Sequence, residues 1–557
     1  MESYFPHLSP TGPAPSTREV YEVYRQTYER RVSEGTLRSI VFPYSFLGIF
    51  ALFTYMCIPH KNNSILYTAR WPLTFLISWF EWRNIWETSG LGPGLGYPAG
   101  LLSAYVIMLS WTWLIFKRPQ WDAKRIQKIQ VKPTIDIKST SQLVMKSPTE
   151  ENTREQNSSK SPSSMATQTD TSKSYINDKN TFKYYWQSYP ENLGDRIFWV
   201  SDLLFNYRGP GWNWAISSLP SPPLEVLSKL EGSVPGKSFS NASLDENKYL
   251  NSRWGLLFSR LSCCFLCLIT LDVLEKIMAK DPYFLLGPNS YALPPHLKAL
   301  PPSILQLYRL LLTAVAIIAG ISNAFSQAAI VFSFLLGPLV LGQRADPWYY
   351  PSEWGSFSDV LQKGFGGLWG NLWHQSFRAC FTTPTRYLIE KGFIKPSSLT
   401  AQVTSLFFAF GLSGFLHWAG SVTVLGNTNP FHIVIFFALQ GVGILLQRLF
   451  CNNIFPYTRI FPKYIRYTGN LIFTMIWLYM TGSLVADDFA RSGVWILNLT
   501  PFSVLERLGF KDNSHELYGL YDIGLKWNTG AHWWETAADM MFYGKSLEPT
   551  VSAFLNE

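Results

Sequence analysis

Two histidines carry the clearest chemistry in this chain. His417 lies in SLFFAFGLSGFLHWAGSVTVLG (405–426), a run without one charged residue, and His374 lies in GGLWGNLWHQSFR (366–378), between Trp373 and Gln375. An imidazole at bilayer depth is costly unless something uses it. It is also the one side chain whose ordinary proton affinity lets it take and return a proton near neutral pH. The pairing points to acid–base chemistry performed inside a membrane.

The neighbours sharpen that reading. On a helix, Ser413 shares a face with His417, and Gly414 admits the close approach of another helix. Beside His374, Gln375 adds a side-chain amide, Asn371 lies one turn before, and Arg378 falls one turn later on the same side. The competing reading of His417 is a neutral buried histidine bonded to a neighbouring helix; the charge-free membrane setting favours a working role. For His374 the competing reading is a marker of headgroup depth among interfacial tryptophans, and spacing alone leaves both open. Other catalytic templates are missing: there is no GxSxG elbow, no GxxxxGK[ST] phosphate loop and no HExxH zinc helix. Of the remaining histidines, His432, His515 and His532 have no evident partner and His7, His60 and His296, in polar or proline-rich stretches, read as solvated; the cysteines, most of them in apolar runs, read as packing residues without metal-site spacing.

The elements that must position these residues are membrane helices. Of 557 residues, 47% are hydrophobic, 16% aromatic and 15% charged, which suits a polytopic membrane protein with sizeable polar loops. About 20 apolar residues cross a bilayer as a helix, and stretches near 39–58, 98–116, 255–274, 304–322, 324–342, 401–421, 430–450 and 467–486 qualify. The expected fold is therefore all-α, with about eight transmembrane helices. A half-apolar stretch at 65–80 carries Arg70 and reads as interfacial. The first 38 residues are polar and hold no cleavable signal peptide. Within 343–400, Phe365, Leu368, Leu372, Phe377 and Phe381 fall near one stripe and predict an amphipathic helix.

Charge excludes as well as orients. The net charge of +9 is concentrated in 117–146, directly after an apolar segment. Basic residues there hold a loop in the cytosol and can touch anionic lipid; nothing in their placement suggests nucleic acid. Four regions result: 1–118, a polar amino terminus with the first membrane helices; 119–190, a basic, Ser/Thr-rich disordered cytosolic linker; 191–252, an interfacial aromatic segment; and 253–557, the membrane core. A transporter is the competing class, but inverted repeats with matched broken helices are not apparent.

Three blocks then carry a resemblance. GGLWGNLWHQSFR resembles the FW…RWHQ…R block of the wax-synthase-like branch of the membrane-bound O-acyltransferases, SGFLHWAG its second histidine block, and RGPGWNW (208–214) the RGIGWNW block of fungal natural-product acetyltransferases within it. This chain departs in Leu368–Trp369, where FW is usual, and in its YYPSEWGSF lead-in. The resemblance implies an intramembrane acyl-transfer tunnel, an acyl-CoA donor, acetyl-CoA foremost, and no bound cofactor or metal. It implies a hydrophobic alcohol acceptor drawn from the bilayer, such as a terpenoid or meroterpenoid, with long-chain wax ester synthesis as the alternative. His417 matches the catalytic histidine and His374 the second active-site position, with Trp373 and Gln375 as its neighbours. Asn371, Gln375, Trp373 and Ser413 are expected to position the reactants or bind the oxyanion, and Arg344, Lys363, Arg378 and Arg386 to meet the CoA phosphates. An endoplasmic-reticulum membrane is the expected location.

Overall fold

The computed structural model describes residues 13–90, 94–131, 181–232, 252–458, 460–496, 503–509 and 536–537. Among them, five helices are long and apolar enough to cross a membrane: Gly96–Phe116, Arg253–Met278, Pro302–Leu335, Leu399–Thr423 and Pro430–Asn453. Lys463–Thr481 and Ser483–Ser492, bent by 45°, make a sixth if taken as one broken span. The protein is a multi-pass, helical membrane protein, and its described residues hold five or six candidate spans where the sequence offers eight apolar runs. The run at 304–322 and the first part of 324–342 form one continuous helix to Leu335, because the polar residues around their junction, Ser322, Asn323 and Ser326, are helix-compatible and buried. The run at 39–58 yields only the 11-residue helix Leu47–Cys57, which covers about 16 Å, half of a hydrocarbon core.

The helices that bear on the histidines are α1 (Arg70–Glu87), α2 (Gly96–Ser110), α3 (Leu193–Phe205), α4 (Arg253–Met278), α5 (Pro302–Ile330), α6 (Ser358–Lys363), α7 (Arg378–Glu390), α8 (Leu399–Thr423), α9 (Pro430–Thr458), α10 (Lys463–Thr481) and α11 (Ser483–Ser492). The interfacial stretch at 65–80 becomes α1, whose Trp71, Phe75, Trp79, Trp82 and Trp86 face outward while Thr74, Ile77, Glu81 and Ile85 are buried. The histidine helix α8 is wedged between α2 and α9 by small residues. A side chain added at Gly100 would meet the Ala419 carbonyl at 2.2 Å, and one at Gly414 would meet the Val434 backbone at 3.4 Å. Such contacts are how helices associate where lipid offers no hydrophobic driving force.

The amphipathic helix expected within 343–400 is broken. α6 stops at Gly364, whose φ of +62° an L side chain rarely adopts. The chain then makes a short turn, Phe365–Gly367, and a π-helical turn, Leu368–Leu372, before it unwinds and restarts as α7. Five glycines from 355 to 370 remove the side chains that would hold a regular helix together. Irregular backbone at membrane depth must be satisfied by protein groups. Gln447 of α9 does this from one side: its Oε1 accepts from the Phe365 amide at 2.7 Å and its Nε2 donates to Asn470 Oδ1 at 3.2 Å. Asn470 of α10 in turn donates to the Leu361 carbonyl at 2.8 Å.

A small sheet lies outside the helices. β1 (Arg125–Val131) pairs antiparallel with β2 (Thr181–Gln187), Ile126 opposite Trp186, and β3 (Leu230–Glu231) adds to β2 in parallel. The two ends of the linker at 119–190 thus close on each other; its centre, 132–180, lies outside the described residues. Arg125 ties the sheet to α3 through Asp202 at 3.0 Å, and Arg344 meets the same carboxylate at 2.9 Å. The sheet thereby anchors the segment that leads into the first histidine block.

Candidate active site

His417 sits on α8 about 9 Å before its last residue, Thr423. Its Nδ1 lies 2.8 Å from the Ser413 carbonyl oxygen. A carbonyl only accepts, so Nδ1 carries the proton and Nε2 is left with a free lone pair. Ser413 therefore acts through its backbone, one turn back on the same face. The ring also packs on Phe437 of α9, centroid to centroid 4.7 Å, a contact that Gly414 permits by letting α9 come close.

His374 sits in the unwound link between the π turn and α7. Three aromatic rings frame it: Trp373 at 5.4 Å, Trp354 at 6.0 Å and Phe377 at 6.3 Å between centroids. Its Nδ1 is buried and has no hydrogen-bond partner among the described residues. Burial pushes its pKa down to about 4, and the nearby His417 and Arg208 push the same way. His374 is thus neutral at physiological pH, and it lies close enough to His417 for a positive charge on one ring to oppose a charge on the other. A path of rings joins them: Trp373 to Trp369 at 5.6 Å, Trp369 to Phe437 at 6.2 Å, and Phe437 to His417.

The other expected site residues divide. Gln375 spends both amide hydrogens on carbonyls of the break, Trp369 at 3.0 Å and Trp373, while its Oε1 accepts from Arg378 at 2.8 Å. Arg378 also donates to the Gly370 carbonyl. The two side chains satisfy backbone oxygens that the unwound turn leaves open, so they hold His374 in place rather than face an oxyanion or a phosphate. Asn371 turns its amide oxygen toward Lys363 Nζ at 3.3 Å, and Lys363 pairs with Asp359 at 2.7 Å. Arg344 is occupied by Asp202, by the Ile126 carbonyl at 3.2 Å and by the Tyr349 ring at 4.7 Å.

Arg386 stands elsewhere. It lines a cavity of about 670 Å³ together with Arg70, Lys117, Arg118 and Lys391. Spacing gave no signal for this set, because its members come from segments as far apart as residues 70 and 391. Trp354 was also missed as a site residue: its Nε1 donates to Ser322 Oγ at 2.8 Å, which fixes the loop around His374 to α5. The RGPGWNW block serves as a clasp. Arg208 donates to the carbonyls of Pro351 and Ser352, at 2.7 and 2.6 Å, ahead of Trp354. Gly211 accepts from the Ile126 amide of the sheet at 2.7 Å.

Comparison with known proteins bears on the family. Residues 350–439 match the membrane bound O-acyl transferase family, a stretch that contains His374, His417 and Phe437. That match bears out the resemblance carried by the two histidine blocks. The chain is similar to an O-mevalon transferase of Penicillium terrestre, 25% identical over 274 residues, which are 46% of this chain and 53% of that protein. It is also similar to an acetyltransferase of Rhodocybe pseudopiperita, 26% identical over 257 residues, 46% of this chain and 57% of that one. An acetyltransferase of Aspergillus fumigatus is 31% identical over 128 residues, 22% of this chain and 21% of its own length. The chain spans a little over half the length of the first two relatives. No solved structure matches it.

Proposed function

We propose that this chain, which matches the membrane bound O-acyl transferase family across its two histidines, transfers an acyl group from acyl-CoA to the hydroxyl of a hydrophobic alcohol. Acetyl-CoA is the preferred donor in this reading, and the acceptor is a lipid-soluble metabolite of terpenoid or meroterpenoid type in the endoplasmic-reticulum membrane. The observation that carries the proposal is the state of the two imidazoles: one with its proton fixed and a free Nε2, the other neutral with an unpartnered nitrogen.

An alcohol is a poor nucleophile, so a base must take its proton as the oxygen attacks the thioester carbonyl. His417 Nε2 is that base. Its Nδ1–H remains on the Ser413 carbonyl and keeps the ring oriented. Attack produces a tetrahedral oxyanion that needs a donor. His374 supplies an N–H and, being neutral, adds no charge that would hinder protonation of His417. Collapse of the intermediate breaks the C–S bond, and the departing thiolate of CoA recovers the proton from His417. Transfer is direct in this reading, since among the described residues no Ser hydroxyl or Cys thiol is hydrogen-bonded to a histidine. Acetyl-named relatives support the small acyl group.

The test is turnover by the purified protein with acetyl-CoA and with palmitoyl-CoA against a panel of hydrophobic alcohols. His417→Ala should lower the rate by about 10²–10⁴-fold while still inserting into the membrane. Near-parental turnover in that variant would remove the base from the mechanism. Preference for palmitoyl-CoA would make the protein a wax ester synthase.

A further inference from the structure

The cavity of about 670 Å³ at the end of the Gly96–Phe116 span has a composition that asks for a ligand. Five cationic side chains, Arg70, Lys117, Arg118, Arg386 and Lys391, face only two acids in its wall, Asp122 and Glu390. Arg118 is paired with Asp122 at 3.5 Å, whereas Lys117 and Arg386 make no ion pair with any described carboxylate. Lys117 instead lies over two tryptophan rings, Trp113 at 4.8 Å and Trp214 at 5.5 Å. A half-buried ammonium without a paired carboxylate is costly; desolvation moves its pKa down to about 8. The cost disappears when an anion arrives, which is the behaviour of a binding site and not of a structural ion pair.

We propose that this cavity holds the phosphorylated nucleotide end of the acyl-CoA donor, with its phosphates on Lys117 and Arg386 and its flat base among the aromatic side chains of the wall. The inference rests on the acyl-transfer reading above and adds where the donor docks. Three features select this ligand class. The volume lies in the range of small-molecule sites, about 300–1,000 Å³. The surplus of positive charge calls for several negative charges on one molecule. Trp214 and Tyr387 supply the flat faces that a base can stack on.

The position also fits. α7 begins at Arg378, four residues beyond His374, and carries Thr383, Arg386 and Tyr387 into the cavity wall. Arg386 is therefore about 12 Å along the helix from its first residue. The flexible pantetheine arm of CoA can cover such a distance, which leaves the thioester beside His374 while the nucleotide stays at the cytosolic rim. Lys363 and Arg344, the other basic residues expected to meet phosphate, are taken up by Asp359 and Asp202.

The test uses the full chain in nanodiscs free of anionic lipid, with CoA, dephospho-CoA and inorganic phosphate as probes in titration calorimetry. The double variant Lys117→Met, Arg386→Gln should weaken CoA binding at least tenfold and raise KM for the acyl donor by a similar factor. KM for the alcohol should not change. The parent should prefer CoA to dephospho-CoA, and the double variant should lose that preference. Unchanged CoA affinity in the double variant, or weakening confined to Lys363→Met, would overturn the docking site while leaving acyl transfer intact. A parent that neither binds CoA nor turns over any acyl-CoA would overturn the function itself. Conservative Lys117→Arg should restore affinity, which a general loss of folding would not allow.

Discussion

At the scale of single residues, the two histidines are alike in type and opposite in circumstance. His417 has a partner that fixes its proton, whereas His374 has none and is held neutral by burial. Replacing His374 with alanine should lower turnover by about 10²–10³-fold, the usual loss for one oxyanion donor, with KM for either substrate changed far less. His374 also couples folding to pH. Its pKa falls from 6.5 to about 4 in the folded protein, so between those values the unfolded chain binds more protons and stability declines as pH drops. Thermal unfolding in detergent from pH 7 to pH 4 should show that decline, and His374→Gln should flatten it. An equal slope in the variant would assign the effect to other groups. Both histidines were legible in the sequence because each sits in a block of distinctive composition. The uses of Gln375 and Arg378 were not, since which donors a turn consumes depends on carbonyls that only the folded break exposes.

At the scale of elements, the informative part is the interruption between α6 and α7. A stripe of five apolar residues suggested a continuous amphipathic helix, but the same glycines that keep such a stripe compact also let it break. Periodicity reports which residues are buried, not whether the helix between them survives. The break brings Gly355 against the π turn: a Cβ there would lie 2.2 Å from the Asn371 carbonyl oxygen. That oxygen is backbone and cannot rotate aside. Gly355→Ala should therefore displace the turn and lower activity by more than tenfold through a misplaced His374, while His417→Ala combined with it should cost little more than His417→Ala alone. Full activity in Gly355→Ala would show that the turn tolerates movement. The sheet went unread for a related reason. RIQKIQV and TFKYYWQ are separated by 49 residues, and neither resembles a strand strongly until it meets the other.

At the scale of the whole molecule, a buried ion network joins parts that are distant in sequence. Asp202 of α3 serves both Arg125 of the sheet and Arg344 of the segment leading to Trp354, with side chains 7–15% exposed. Asp202→Ala would strand two buried cations and should destabilise the protein by about 3–5 kcal/mol, read as a lower melting temperature in detergent. A melting temperature within a degree of the parent's would mean that solvent already reaches the cluster. The multi-pass plan was legible from apolar runs, but their number was not, because a polar interval inside one long helix looks the same in sequence as a loop between two. α7 has a last consequence. It ends in the wall of one compartment and begins beside the imidazole of another, so its thirteen residues set a fixed gauge between them. One inserted residue would advance everything downstream by about 1.5 Å and turn it by about 100°, which makes this short stretch the part of the chain least able to change its length.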